Sequence, residues 1–293
     1  LKYCLYQNPL FPSAHIEGFD DANLPLAAAR SQNWLDIPAG NYQVGKTISP
    51  GYTRAKKVAG SSAGGSRRVS RGDSNGKTVY DFAFDNEAPR HTVRLAAVQL
   101  QNQLVSNREF MAFIEDGGYQ APALWLADGW TTVQAQAWRA PLYWVQRDGA
   151  WHEYTLGGGL QALEPDAPVR HVSAYEADAY AQWCQRRLPT EFEWEVGATR
   201  AGANSQADAH NAVGGDWFGR CWQWTGSAYR PYPGFRVADG AVGEYNGKFM
   251  GNQWVLRGSS SVTPAQHART TYRNFFYLQD RWQYSGIRLA RDV

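Results

Sequence analysis

Apolar and polar residues alternate over Leu35-Asp36-Ile37 and again over Tyr42-Gln43-Val44, on either side of a Pro38-Ala39-Gly40 turn. This period of two predicts a β-hairpin that opens a domain. His91-Thr92-Val93-Arg94-Leu95 repeats the alternation as a short strand. Three later segments switch to the helical period. Each is preceded by a Ser or Thr with a Glu three residues on: Ser106 and Glu109, Ser173 and Glu176, Thr190 and Glu193. The hydroxyl accepts from an orphan amide of the first turn and the carboxylate reaches back, so each pair predicts a helix start. The first helix carries Phe110, Phe113 and Ile114 on one face and stops at Gly117-Gly118. In the second, Ala177, Tyr180, Ala181 and Cys184 recur at i, i+3, i+4 and i+7, an apolar stripe that faces a core. From Gly215 onward the chain is rich in Gly, Trp and Tyr and has few helical patterns, which predicts short strands and long structured loops. Residues 1 to about 30, with Pro9, Pro12 and Pro25, read as loop. The pattern as a whole predicts an α+β domain with two or three helices and an irregular, twisted sheet.

Composition refines this picture. The chain has 293 residues, 43% hydrophobic and 19% charged, enough for one large domain with a small appendage. A net charge of +2 argues against a nucleic-acid partner. The positive charge is concentrated, however. Between Lys46 and Lys77 lie Arg54, Lys56, Lys57, Arg67, Arg68 and Arg71, opposed only by Asp73, in a Gly/Ser-rich stretch. This basic insertion at about 46–80 reads either as a solvated loop or as a site for an anionic partner. No 18-residue apolar span and no signal peptide are visible, and the 3 cysteines lack CxxC spacing. Together these predict a cytoplasmic protein without membrane attachment. Cys184, on the helical stripe, reads as a small buried hydrophobe rather than a nucleophile. The 6 histidines include no His-x-x-x-His pair, so no metal-ligand set can be assigned from spacing. The opening residue is Leu1, which fits a processed chain or part of a longer one. Residues 1–34 are accordingly read as a tail or the remnant of a missing domain, and 35–293 as the domain proper.

Several of these stretches are similar to a known family. Ile37-Pro38-Ala39-Gly40, Pro168-Val169-Arg170-His171-Val172-Ser173 and Leu188-Pro189-Thr190-Glu191-Phe192-Glu193-Trp194-Glu195 resemble the formylglycine-generating-enzyme fold, a variant of the C-type-lectin-like architecture. The C-terminal third adds Trp222-Gln223-Trp224-Thr225, Pro231-Tyr232-Pro233-Gly234-Phe235, Glu244-Tyr245-Asn246-Gly247-Lys248-Phe249, Val255-Leu256-Arg257-Gly258 and Tyr272-Arg273-Asn274-Phe275-Phe276. It closes with Arg281-Trp282-Gln283 and Ser285-Gly286-Ile287-Arg288-Leu289-Ala290. In this order the runs resemble bacterial hercynine sulfoxide synthases of ergothioneine biosynthesis and the closely similar selenoneine synthases. The basic insertion is unmatched.

The resemblance implies an oxidoreductase that uses Fe(II) and O2 to join a thiol or selenol donor to the imidazole of hercynine, a trimethylated histidine. It implies Tyr232 as proton donor, a role suited to a phenol; between two prolines and before Gly234, Tyr232 also fits a rigid turn. Substrate contacts are expected from Asn274 to Arg281. Phe275 and Phe276 offer ring faces to an imidazole or a trimethylammonium, and equally fit core filling. Arg281 is suited to clamp a carboxylate. The resemblance places the iron on three histidines of a separate helical bundle, and nothing in residues 1–35 resembles one, so a missing iron-binding domain is expected as a partner. A non-catalytic ligand-binding module on a lectin-like scaffold is the alternative. Copper-thiolate chemistry of the formylglycine-generating type is disfavoured, since the window Arg257 to Arg273 has no Cys and the last cysteine is Cys221. Ser259 stands where relatives commonly carry Gly, and would be strained there if the position needed φ > 0.

Overall fold

A computed structural model describes residues 1–14, 34–47, 71–72, 78–79, 83–203, 215–237 and 245–293. The basic insertion lies almost wholly outside the described residues, as do His15 and His210. In chain order the elements are α1 (Lys2–Tyr6), β1 (Trp34–Ile37), β2 (Gly40–Val44), β3 (Arg71–Gly72), β4 (Thr78–Val79), β5 (His91–Leu95) and β6 (Val98–Gln101). Then follow α2 (Asn107–Glu115), α3 (Ala127–Ala135), β7 (Trp144–Arg147), β8 (Ala150–Thr155), β9 (Gly159–Ala162), α4 (Ala174–Trp183) and α5 (Glu191–Arg200). The chain ends in β10 (Trp222–Ala228), β11 (Gln253–Gly258), β12 (Asn274–Tyr277), β13 (Ser285–Gly286) and β14 (Ala290–Asp292). This is the expected mixed α+β architecture, its strands divided among small sheets. No helix of the described residues is long and apolar enough to cross a membrane.

The three helix starts predicted from capping chemistry all form. Ser106, Ser173 and Thr190 each accept from the amide of the Glu three residues on, and each Glu returns the bond. Two helices were not foreseen. Helix α3 follows Leu126, which supplies no side-chain cap. Helix α1 corrects the reading of the first thirty residues as loop: five of them make a turn of helix whose rings pack on the domain.

The predicted hairpin at 35–45 also needs correction. Strands β1 and β2 both exist, but β1 pairs antiparallel with β6 and β2 with β5. A two-residue hairpin needs φ > 0 in its turn, which Pro38 cannot adopt. The chain therefore turns a corner between sheets, held by the Tyr42 hydroxyl donating to the Pro38 carbonyl at 2.6 Å.

Two hydrophobic clusters flank the central sheet, whose order is β12-β11-β10-β13. One gathers Phe110 and Phe113 of α2, Ala177, Tyr180 and Ala181 of α4, and Trp224 and Leu256 of the sheet. The apolar stripe of α4 faces inward as its spacing predicts; Cys184 at its end is half-buried against this cluster. The other gathers Ile37, Leu100, Trp194, Val196 and Trp217 around α5. Gly258, at φ +95°, is the residue that must be glycine at the end of β11, because a Cβ there would lie 2.7 Å from the Trp217 carbonyl oxygen. Ser259 is not among the positive-φ residues and its hydroxyl accepts from the Gly219 amide at 2.9 Å. The expected strain at Ser259 is therefore absent: the glycine that this turn requires has been kept.

Candidate functional site

Helix α5 begins with carboxylates at i and i+4, Glu191 and Glu195, which lie on one face of the helix. That face is turned inward, onto the β11 and β12 side of the sheet. Arg257 of β11, fully buried, donates to Glu191 at 3.2 Å and to Glu195 at 2.8 Å. Arg273, immediately before β12, grips Glu191 with two nitrogens, at 2.8 and 2.9 Å. Buried charges on this scale are stable only when paired and hydrogen-bonded on all sides. Most of the remaining partners are supplied: the Gly45 amide donates to Glu195 at 2.7 Å, Arg257 donates to the Thr270 carbonyl at 2.8 Å and Arg273 to the carbonyls of Asn86 and Arg230, while Arg257 Nε has no partner among the described residues.

Tyr232 sits in the middle of this network. Its hydroxyl donates to Glu191 at 3.2 Å and accepts from Arg257 at 3.0 Å, while the Arg273 guanidinium lies 4.0 Å above its ring and His91 packs at 4.5 Å. Burial pushes the phenol well above its usual pKa, with Arg257 opposing. Tyr232 is 3% exposed, and its proton points at a carboxylate of the interior.

Arg273 carries this order into β12, where the sequence placed its substrate contacts. Asn274 accepts from the Phe275 amide at 3.0 Å, a local bond that shapes the strand start. Phe275 and Phe276 are neighbours on a strand, so their side chains project to opposite faces. Phe275 stacks on Tyr229, with centroids 4.1 Å apart and planes 9° from parallel, and is bordered by Tyr245 and Phe249. Phe276 packs instead with Trp282 and the first hydrophobic cluster. The pair therefore cannot close on one ligand from the same face.

Arg281 is committed elsewhere. Its Nη1 donates to Glu176 at 3.0 Å and to the Ala140 carbonyl at 2.9 Å, and its guanidinium lies 3.9 Å over the Trp138 ring. Glu176 is the fully buried capping residue of α4 and also accepts from the Tyr119 hydroxyl at 2.6 Å. The five candidate residues thus fall into two groups. Tyr232, Asn274 and Phe275 are joined through Arg273; Phe276 and Arg281 belong to the side formed by α4 and the loop after β12.

Other residues, from the family-like runs Asp85-Asn86-Glu87 and Glu244-Tyr245-Asn246, border the Phe275 face. Asn86 donates to the Tyr229 hydroxyl at 2.8 Å and to the Arg273 carbonyl at 3.2 Å, while its own Oδ1 is buried without a partner among the described residues. Asp85 accepts from Asn246 through Oδ1, and its buried Oδ2 likewise has none among them. Glu191, Glu195, Tyr232, Arg257 and Arg273 all stand in the family-like runs of the sequence, but nothing in their spacing reveals that they pair.

A metal site is not assembled here. Among the described residues no group of three His, Cys, Asp or Glu could hold a metal ion. His91 faces the Pro89 carbonyl and Tyr232, His171 is buried against Lys2, His152 is on β8 and His267 is exposed. The residues described do not fit Fe(II). A cleft lined by Glu153, Thr155, Gln161 and Arg170 offers no free chemistry either, because Glu153 and Arg170 are paired at 2.8 Å.

Residues 28–214 match the family described as sulfatase-modifying factor enzyme 1-like domain. The chain is 34% identical over 247 residues to the hercynine oxygenase of Mycolicibacterium thermoresistibile, covering 72% of this chain and 54% of that protein. It is 39% identical over 128 residues to the formylglycine-generating enzyme of Thermomonospora curvata, covering 40% of this chain and 42% of that one. Among solved structures, PvdO from Pseudomonas aeruginosa aligns with 18% identity and a TM-score of 0.48, over 91% of this chain and 100% of that one. The chain spans about half the length of the hercynine oxygenases it matches.

Proposed function

Because this chain belongs to the family of sulfatase-modifying factor enzyme 1-like domains, we propose that it is the substrate-recognising part of an oxidoreductase that acts on hercynine. The reaction forms a carbon-sulfur or carbon-selenium bond on the imidazole, as in ergothioneine or selenoneine biosynthesis. One oxygen atom of O2 goes to the chalcogen and the other leaves as water with the hydrogens of the imidazole C–H and the thiol or selenol. Fe(II), held by ligands outside the residues described, would supply the activation of O2. The likeness to hercynine oxygenases supports this choice over a non-catalytic module.

The observation that carries the reading within the domain is the ring surface of Phe275, backed by Tyr229 and anchored by the Arg273–Glu191 pair. A rigid ring platform binds a flat imidazole or an alkylated cation at little entropic cost. Asn274 is proposed as a polar contact at the rim of that platform, and Arg281 and Phe276 as contacts from the neighbouring side. Tyr232, whose hydroxyl is committed to Glu191 and Arg257, is given the part of fixing the platform from beneath.

The test is hercynine consumption by the complete protein with Fe(II), a thiol or selenol and air, followed by mass spectrometry. The expected result is a product heavier by the donor and one oxygen in air, and no turnover under nitrogen. Equal turnover in both atmospheres would sink the reading.

A further inference from the structure

Helix α1 is laid on the domain by one face. Lys2, Leu5 and Tyr6, at i, i+3 and i+4, are half-buried, while Leu1, Tyr3 and Cys4 face solvent. The Lys2 ammonium lies 4.7 Å from the centroid of the Tyr143 ring and 5.0 Å from that of Tyr284, and it meets His171 Nε2 at 3.2 Å. The same two tyrosine rings hold the fully buried imidazole, each with its centroid 4.6 Å away. An ammonium can only donate, so His171 accepts through Nε2 and carries its proton on Nδ1. Nε2 is therefore the atom that takes the second proton as pH falls. Once protonated it is itself a donor and can no longer receive Lys2.

The groups around His171 sharpen that conflict. Lys2 from α1 and Arg170 from the preceding position are both cationic and both disfavour a charged ring, in addition to its burial. The carbonyls of Trp282 and Gln283 act the other way, and Tyr143 and Tyr284 contribute ring faces and edges. Glu153, the acid paired with Arg170, fixes that guanidinium with two bonds of 2.9 and 2.8 Å. An imidazolium in this place meets two like charges, of which only Lys2 is free to withdraw with its element. A helix of five residues has little stability of its own, so it depends on what anchors it to the domain.

We propose that the contact between Lys2 and His171 is a pH-sensitive latch on residues 1–14: a proton on Nε2 turns a hydrogen bond into a repulsion, and the segment lifts from the rings of Tyr143 and Tyr284. The latch is closed at neutral pH. Uncovering the ring returns it to its usual pKa of about 6.5, so the open form gains about tenfold for each pH unit below that value, until the pKa of the covered ring is reached. The latch also borders the loop after β12, since the Arg281 charge reaches Tyr6 on the buried face of α1. Opening removes a neighbour of that loop.

Amide hydrogen exchange of the 293-residue chain, read by mass spectrometry at about pH 7.5 and about pH 5.5 and corrected for the intrinsic pH dependence of exchange, tests this. Protection within residues 1–14 is expected to fall about tenfold at the lower pH, while α2 and α5 keep theirs. His171→Gln retains an uncharged acceptor and should hold protection equal at both pH values. Lys2→Met keeps an unbranched stem between the rings without the repelled charge, and should cut the loss to about threefold or less. It occupies a half-buried position on a surface helix, so it decides the matter even where His171→Gln does not fold. Wild-type protection of residues 1–14 that is equal at both pH values overturns the latch. So does a loss that Lys2→Met leaves undiminished, or one shared equally by α2 and α5.

Discussion

Tyr232 shows how a side chain's surroundings decide which of its chemistries is available. A phenol between Glu191 and Arg257 is a structural donor and acceptor at once. Tyr232→Phe leaves a buried carboxylate and guanidinium each short of one partner, and should lower unfolding stability by about 1–3 kcal/mol, read from urea denaturation. A variant that keeps its stability yet loses turnover would return Tyr232 to the role of proton donor. His171 gives the pH-dependent counterpart. It is fully buried, and burial first, then Lys2 and Arg170, holds its pKa well below the usual value. The folded state keeps the ring neutral, whereas the unfolded chain protonates it below about pH 6.5. Its contribution to stability is therefore present above that pH and is lost as pH falls toward the folded pKa. Urea midpoints measured from pH 7 to 5 should fall, and His171→Gln should flatten the slope.

At the scale of elements, the capping box of α4 does more than start a helix. Glu176 holds the Ser173 amide and hydroxyl, the Tyr119 hydroxyl and Arg281, so α4 is tied to the turn after α2 and to the loop after β12. Ser173→Ala removes only the cap and should cost about 1 kcal/mol. Glu176→Ala also strands the Arg281 charge, whose side chain is 14% exposed, and should cost about 3–5 kcal/mol. Equal losses for the two variants, measured by chemical denaturation, would show that the Arg281 pair contributes nothing. Strand β12 shows a second element-level effect. Its alternation sends Phe275 and Phe276 to different surroundings, so substitutions at the two should separate: Phe276 chiefly stability, Phe275 chiefly ligand affinity.

For the whole molecule, the first fourteen residues pack against residues of the larger body. The Lys2 ammonium meets His171 Nε2 at 3.2 Å and lies over the rings of Tyr143 and Tyr284; Tyr6 packs edge-on against Tyr143. The segment is then stitched down by the Tyr154 hydroxyl to the Pro12 carbonyl and by the Ala14 amide to the Leu156 carbonyl, each at 2.7 Å. Removing residues 1–14 uncovers Tyr143, Tyr154 and His171 and should cost about 2–4 kcal/mol, on the scale of exposing one or two large apolar side chains. An unchanged melting temperature for the shortened chain would mean that the segment is only draped on the surface.

The sequence by itself determined what is local. The starts of α2, α4 and α5 were legible at Ser106, Ser173 and Thr190 because a capping box is complete within four residues, and β5 was legible because its alternation needs no partner to be seen. The runs through Leu188 to Glu195 and the C-terminal third likewise pointed to the family. What only the tertiary structure decided depends on residues far apart in the chain. Strands β1 and β2 look like a hairpin until each is offered a better edge on β6 and β5. Phe275 and Phe276 look like one cage until their strand is set beside β11. The pairing of Arg273 with Glu191 spans 82 positions, and that of Asn86 with Arg273 spans 187. No periodicity records such pairs, because burying a charge is favourable only when the whole fold has brought its partner to within hydrogen-bond reach.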